Sequence, residues 1–206
     1  MVFMQSNRFL TALAAPALAI ALVIAFPAPV RAAEGVDIGG TAPDFTLQDL
    51  DGKSVNLAKL LAKGPVLLDF WALWCKPCLQ ALPATDDLSR RYAEKGLTVL
   101  AINTDQPRST AKVRSYVKSK GFSFEVLLDP NSDMQRLYRF SKIPQLFLVS
   151  PEGKIVFSKL GYVPGQEKLL EEEIAKLLPA AGAKEAAPAS ETGGSEAEPE
   201  SAGEEG

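Results

Sequence analysis

An apolar run from Pro65 to Ala72, broken by the single carboxylate of Asp69, leads directly into Trp74-Cys75-Lys76-Pro77-Cys78. Such a run has the pattern of a central strand covered on both faces. The residues after it, Cys78 to Ala93, read as a helix with Pro83 inside it, where a kink is expected. Leu97 to Ile102 reads as a second buried strand. Val113, Tyr116 and Val117 mark a helix face closed by Gly121. A short strand at Val126 to Leu128 and a short helix through Met134, Leu137 and Tyr138 come next. Two hairpins frame this alternation. The first runs from Pro43 to Leu50, turns at Asp51-Gly52 and resumes at Ser54 to Leu57; the second joins Leu146–Val149 to Ile155–Phe157 through Pro151-Glu152-Gly153. Leu169, Leu170, Ile174, Leu177 and Leu178 line one face of a closing helix. The pattern predicts an α/β fold, a mixed β-sheet flanked by helices with an added N-terminal β-hairpin.

The chain ends differ from this body. Arg8 precedes a stretch from Leu10 to Phe26 in which only Thr11 and Pro16 are not apolar, followed by Pro27, Pro29 and the small-residue exit Val30-Arg31-Ala32. Residues 1–32 therefore read as a secretory signal peptide or, if retained, an N-terminal membrane anchor. Either way the domain is exported, to a periplasmic or other extracytoplasmic space where disulfides form. Residues 183–206 hold seven Glu and one Lys among Ala, Gly, Ser, Pro and Thr. With no side chain able to offset the entropy of ordering, this acidic tail is expected to be disordered. Residues 33–182 form the one expected domain. Its 19 basic and 18 acidic residues nearly cancel, which gives no footprint for nucleic acid.

The 206 residues contain two Cys and no His. Without His, Ser-His-Asp and Cys-His hydrolytic centres and His-containing zinc sites are excluded. Two Cys alone cannot complete a four-thiolate metal site, so neither a metal nor a cofactor is expected. What remains is thiol chemistry. Cys75 at the helix start meets unsatisfied amides and the positive end of the dipole, which stabilise a thiolate, and Lys76 adds positive charge. Cys78, one turn inside, is expected to be more buried. Cys75 is then the attacking thiolate and Cys78 the resolving thiol, cycling through a Cys75–Cys78 redox disulfide. A structural staple is a poor alternative, since so small a loop constrains the unfolded chain little. Half of a zinc site shared between two chains, or two unrelated buried thiols, are the other readings.

Asp69 is the third candidate catalytic residue. Strand alternation puts it on the face of Trp71, beneath the dithiol. Burial raises a carboxyl pKa, which suits proton exchange with Cys78; the alternative is a hydrogen-bonded structural Asp. Ile143-Pro144, just before a buried strand, marks a constrained turn.

The segment Leu67-Leu68-Asp69-Phe70-Trp71-Ala72-Leu73-Trp74-Cys75-Lys76-Pro77-Cys78 resembles the thioredoxin active-site strand and helix. Pro43-Asp44-Phe45-Thr46-Leu47, Leu82-Pro83, Ile143-Pro144-Gln145-Leu146-Phe147-Leu148 and Pro151-Glu152-Gly153-Lys154 extend the likeness over about Gly39 to Leu178. The chain is similar to the exported TlpA/ResA branch of thioredoxin-like thiol–disulfide oxidoreductases, which includes DsbE-type proteins of cytochrome c maturation. The resemblance implies a thioredoxin fold and a cis bond before Pro144. It also implies a docking surface of Trp74, Lys76, Pro77, Ile143 and Pro144 on which an extended client segment pairs near Ile143. The implied activity is reduction of disulfides in client proteins such as apocytochrome c or related maturation factors. The implied electron donor is a membrane thiol-transfer protein.

Four departures stand out. Ala81 occupies a position where the branch often carries Glu, and Ala101 one where thioredoxin carries a Lys paired with its buried Asp. Gln145 replaces a common Thr and is expected to alter client contacts. Lys-Pro replaces Gly-Pro between the Cys. The alternatives are a peroxiredoxin-type thiol peroxidase, which shares the Pro43–Leu47 segment but needs a Thr where Ala72 stands, and a secreted binding module with a structural disulfide.

Overall fold

The computed structural model describes residues 36–165 and 167–178. The expected signal segment and acidic tail lie outside the described residues. The elements run β1 (Thr46–Asp49), β2 (Ser54–Asn56), α1 (Leu57–Leu61), β3 (Val66–Trp71), α2 (Lys76–Tyr92), β4 (Thr98–Asn103), α3 (Thr110–Lys120), β5 (Glu125–Leu128), α4 (Asp133–Leu137), β6 (Gln145–Val149), β7 (Ile155–Leu160) and α5 (Glu167–Leu177). They build one seven-stranded sheet in the order β2-β1-β5-β4-β3-β6-β7.

The order places β3 in the interior of the sheet, parallel to β4 and antiparallel to β6. All six of its residues are buried, as its nearly unbroken apolar pattern requires. Its side chains alternate between two cores. Val66, Leu68 and Phe70 pack with Leu57 and Leu61 of α1, Met134 of α4 and the aromatic group of Tyr138, Phe140 and Phe147. Leu67 and Trp71 face the other layer, with Cys78, Leu82 and Leu88 of α2, Val113 of α3, and Leu170 and Ile174 of α5. Both parallel steps, β3 to β4 and β4 to β5, move the same way across the sheet. Crossovers of one hand therefore put α2 and α3 on the same face.

Local chemistry sets the element ends. The first hairpin turns where the Asp49 carboxylate accepts from the amides of Asp51 and Lys53. Gly121 ends α3 in the left-handed region at φ 63°, as expected of a C-terminal glycine. Gly64, at φ 156°, lets the chain pass Gly96: a Cβ there would lie 2.3 Å from the Gly96 carbonyl oxygen. Three details differ from the sequence pattern. Leu57 opens α1 rather than closing a strand, because the Asn56 side chain caps the helix by accepting from Lys59 N at 3.0 Å. α2 starts at Lys76, two residues earlier than the pattern suggests, with Pro77 in its first turn, and it continues through Pro83. Leu169 faces solvent at 54% exposure, so Leu170 and Ile174 carry the packing of α5. Among the described residues no helix is long and apolar enough to cross a membrane.

Candidate active site

The site lies where β3 hands the chain to α2. The backbone between them is held by a polar group at the end of β4. Thr104 N donates to the Trp71 carbonyl at 2.9 Å. The buried Asp105 carboxylate accepts from Leu73 N at 2.7 Å and from the Asn103 side-chain amide at 2.9 Å. This clamp fixes the direction in which the chain enters Cys75.

Cys75 is the N-cap residue of α2, and its sulfur accepts from the Cys78 amide at 3.2 Å. The sulfur thus occupies the place where an anion gains most from the free amides and the dipole of a helix start. Cys75 and Cys78 are joined in a disulfide. Cys75 retains 5% exposure and Cys78 1%, the order expected from their positions on the first turn. The Ile143–Pro144 bond is cis, and the Ile143 carbonyl oxygen lies 3.8 Å from the Cys75 sulfur. Trp74 is 69% exposed beside the pair, Lys76 and Pro77 are exposed, Ile143 is half-buried and Pro144 buried. A polar groove of about 490 Å3 adjoins Trp74, bounded by Thr104, Asp105, Arg108, Asn131 and Ser132.

Asp69 lies within the sheet under α2, 1% exposed, and its carboxylate accepts from the Thr85 hydroxyl at 2.7 Å. Burial pushes its pKa from the ordinary 3.8 up to about 6, and the Thr85 hydrogen bond opposes part of that rise. The registers place Ala101 of β4 and Leu146 of β6 on either side of it, so neither neighbouring strand supplies a charge. Cys78, Ala81 and Thr85 follow one another along one face of α2, so the dithiol and the Asp69–Thr85 pair share that helix face.

The structure thus brings Cys75, Cys78, Trp74, Ile143 and Pro144 together, with Asp69 behind them. Gln145, the residue expected to alter client contacts, follows Pro144 at the start of β6. It is buried, and its amide donates to Ser158 Oγ at 3.1 Å and to the Leu146 carbonyl at 2.9 Å. Thr85 and the Asn103-Thr104-Asp105 group were not singled out by sequence reasoning. The only signal for the latter was three polar residues closing an apolar strand, which reads equally well as the start of a loop. Among the described residues no cluster of three or more His, Cys, Asp or Glu could hold a metal ion.

The sequence profile of the AhpC/TSA family matches residues 38–158. The thiol-disulfide oxidoreductase ResA of Bacillus thuringiensis subsp. konkukian is 33% identical over 146 residues, covering 71% of this chain and 82% of that protein. ResA of Bacillus subtilis is 36% identical over 123 residues, covering 60% of this chain and 67% of that protein. A crystal structure from Chlorobium tepidum assigned as a thiol:disulfide interchange protein DsbE superposes with a TM-score of 0.63 at 33% identity, covering 69% of this chain and 98% of that one.

Proposed function

We propose that this chain, which belongs to the AhpC/TSA family and is a thiol–disulfide oxidoreductase of the ResA and DsbE type, reduces disulfides of client proteins outside the cytoplasm. The observation that carries the reading is the place of the Cys75 sulfur, at the cap of α2, on the Cys78 amide and beside Trp74 and the Ile143 carbonyl.

In the reduced protein the Cys75 thiolate attacks one sulfur of a client disulfide, and the other leaves as a thiolate. The mixed disulfide between Cys75 and the client is then broken by Cys78, whose thiol gives its proton to Asp69, through water, as it attacks the Cys75 sulfur. The client leaves as a dithiol after taking up two protons, and the protein keeps the Cys75–Cys78 disulfide. Two electrons pass from the protein to the client. Trp74 and the Ile143-Pro144 turn receive the client segment, with Lys76 and Pro77 at the edge of that surface.

A thiol-transfer protein of the membrane returns the electrons. Export rests on residues 1–32, a signal peptide or an anchor if retained, and apocytochrome c or a related maturation factor is the client class. The thiol-peroxidase alternative has less support, since Ala72, fully buried, offers no hydroxyl where that chemistry uses a Thr.

Cys78→Ala is the direct test. It should accumulate mixed disulfides through Cys75 with insulin or a disulfide-containing client, and Cys75→Ala should accumulate none; absence of trapping in both would remove the assignment of roles. Direction is read from the equilibrium potential of the couple. A value at or below about −220 mV supports a reductase, and one near about −120 mV makes the protein a disulfide donor.

A further inference from the structure

The turn into α2, the loop from β4 to α3 and the loop that ends at Ile143 and Pro144 all border the dithiol, and each brings a cation. Lys76 follows Cys75 directly. Arg108 lines the polar groove that adjoins Trp74. Lys142 precedes Ile143, whose carbonyl oxygen lies 3.8 Å from the Cys75 sulfur. Arg139 stands on the same loop as Lys142. All four side chains are exposed, and none of them enters an ion pair among the described residues.

The acidic groups of the same surroundings are already engaged. Asp105 is buried, and its carboxylate accepts from Leu73 N and from the Asn103 side-chain amide. Asp129, next to the groove residue Pro130, is buried and accepts from the amides of Asp133 and Met134. Asp133 is paired with Arg136. Basic and acidic residues nearly cancel over residues 33–182, so the unpaired positive charge around the dithiol is a local feature. Thr104, Gln106, Asn131 and Ser132 give the groove polar walls, which suit an extended, hydrated segment.

We propose that this rim of cations selects client disulfides flanked by acidic residues, with Arg108 and Lys142 as the specificity-determining side chains. The inference rests on the reading that client segments dock across Trp74 and the Ile143-Pro144 turn. A segment lying there has Arg108 toward the groove and Lys142 toward the turn, so carboxylates on both sides of its disulfide meet a cation. Charges at the rim of a docking surface act mainly on the rate of encounter. Lys76 adds to the same field, but it stands beside the Cys75 sulfur, and changing it would alter the nucleophile as well.

The test uses synthetic peptides with one intramolecular disulfide, flanked on both sides by a pair of Glu, of Gln or of Lys residues. Reduced full-length protein is mixed with each peptide in excess, and its oxidation is followed by stopped-flow tryptophan fluorescence. At about 0.01 M salt, where the screening length is about 30 Å, the Glu peptide is expected to react at least fivefold faster than the Gln peptide, and the Lys peptide slowest. At about 1 M salt, where that length is about 3 Å, the spread should shrink below twofold. Arg108→Gln combined with Lys142→Gln should cut the low-salt Glu-to-Gln ratio at least threefold, a comparison that cancels the peptides' own reactivity. Lys63→Gln combined with Lys118→Gln removes the same charge ahead of β3 and in the last turn of α3, and should leave the ratio unchanged.

A ratio that the Arg108 and Lys142 pair leaves at its wild-type value, or that the distant pair lowers as much, overturns the proposal. A wild-type ratio near one at low salt also overturns it. If that ratio then rises when the glutamates of residues 183–206 are changed to Gln in the full chain, the occupant of the surface is the chain's own tail and not a client. The underlying reading fails separately: no peptide then oxidises the protein, and Cys78→Ala traps none of them on Cys75. Equal oxidation by all the peptides removes the charge selection alone.

Discussion

The Thr85 hydroxyl donates to the Asp69 carboxylate at 2.7 Å beneath the helix that carries the dithiol, in a place almost closed to water. Among the described residues it is the one side-chain hydrogen bond offered to this buried carboxyl, which has no cation on either neighbouring strand. The pair therefore couples the protonation of the site to pH and to the stability of the fold.

The Asp69 pKa is higher in the folded protein, about 6, than the ordinary 3.8. Between those values the folded state binds more protons than the unfolded one, so this group lowers stability as pH rises from about 4 to 6, and the loss is complete above that window. Asp69→Asn removes the penalty. It is expected to stabilise the oxidised protein by roughly 3 kcal/mol at pH 8 and by little at pH 4, measured by urea unfolding at both values. Equal stability of variant and wild type at pH 8 would contradict burial of an ionised Asp69.

Thr85→Val keeps the shape of the side chain and removes the donor. The Thr85 bond is what holds the Asp69 pKa down, so its loss moves the pKa above 6. The pH at which Cys78 resolves a mixed disulfide at half its maximal rate should shift upward with it. At pH 8 the variant should lose about 1–3 kcal/mol of stability, the cost of an unsatisfied buried acceptor. A stopped-flow pH profile and urea titrations check the two outcomes separately.

Asp105→Ala leaves the Leu73 amide and the Asn103 side-chain amide without their acceptor. A loss of about 2–4 kcal/mol is expected from these two buried groups. Client-disulfide reduction should slow as well, because the loop entering Cys75 loses its anchor. Asp105→Asn, which retains an acceptor oxygen, should recover most of both. Chemical denaturation and insulin reduction supply the numbers.

Trp74→Ala acts on the surface rather than the core, since the indole is 69% exposed. Stability should change by no more than about 0.5 kcal/mol. Turnover of protein clients should fall about tenfold, the scale of an aromatic anchor lost from an interface. Reduction of a small aromatic disulfide, which needs no docking surface, should be nearly unaffected. Equal losses on both substrates would instead place the indole in the chemistry.

Much of the fold was readable along the chain because its signals are local. The apolar run with one Asp is legible as β3 through its lack of alternation. Cys75 at a helix start, Gly121 at a helix end and Asp51-Gly52 in a hairpin each depend on residues within a turn of one another. The thiol pair and the order of their burial follow from the same local geometry, and the cis bond at Pro144 came from likeness to a known family. α1 escaped notice because five residues are too few to show a period. Leu169 was misplaced because a run of apolar residues at a helix start leaves its facing direction open.

The sequence by itself determined that the chain carries a strand, a redox pair and a helix in immediate succession, and therefore what chemistry the site performs. Only the tertiary structure decided how that chemistry is supported. Thr85 meets Asp69 because α2 lies across β3; Asp105 meets Leu73 because β4 runs parallel beside β3. Tyr92 meets Glu171 because α5 packs on the same face as α2. Those meetings join residues 16, 32 and more positions apart. They depend on crossover handedness and sheet order, which act between whole elements and leave no periodic trace in the residues they bring together.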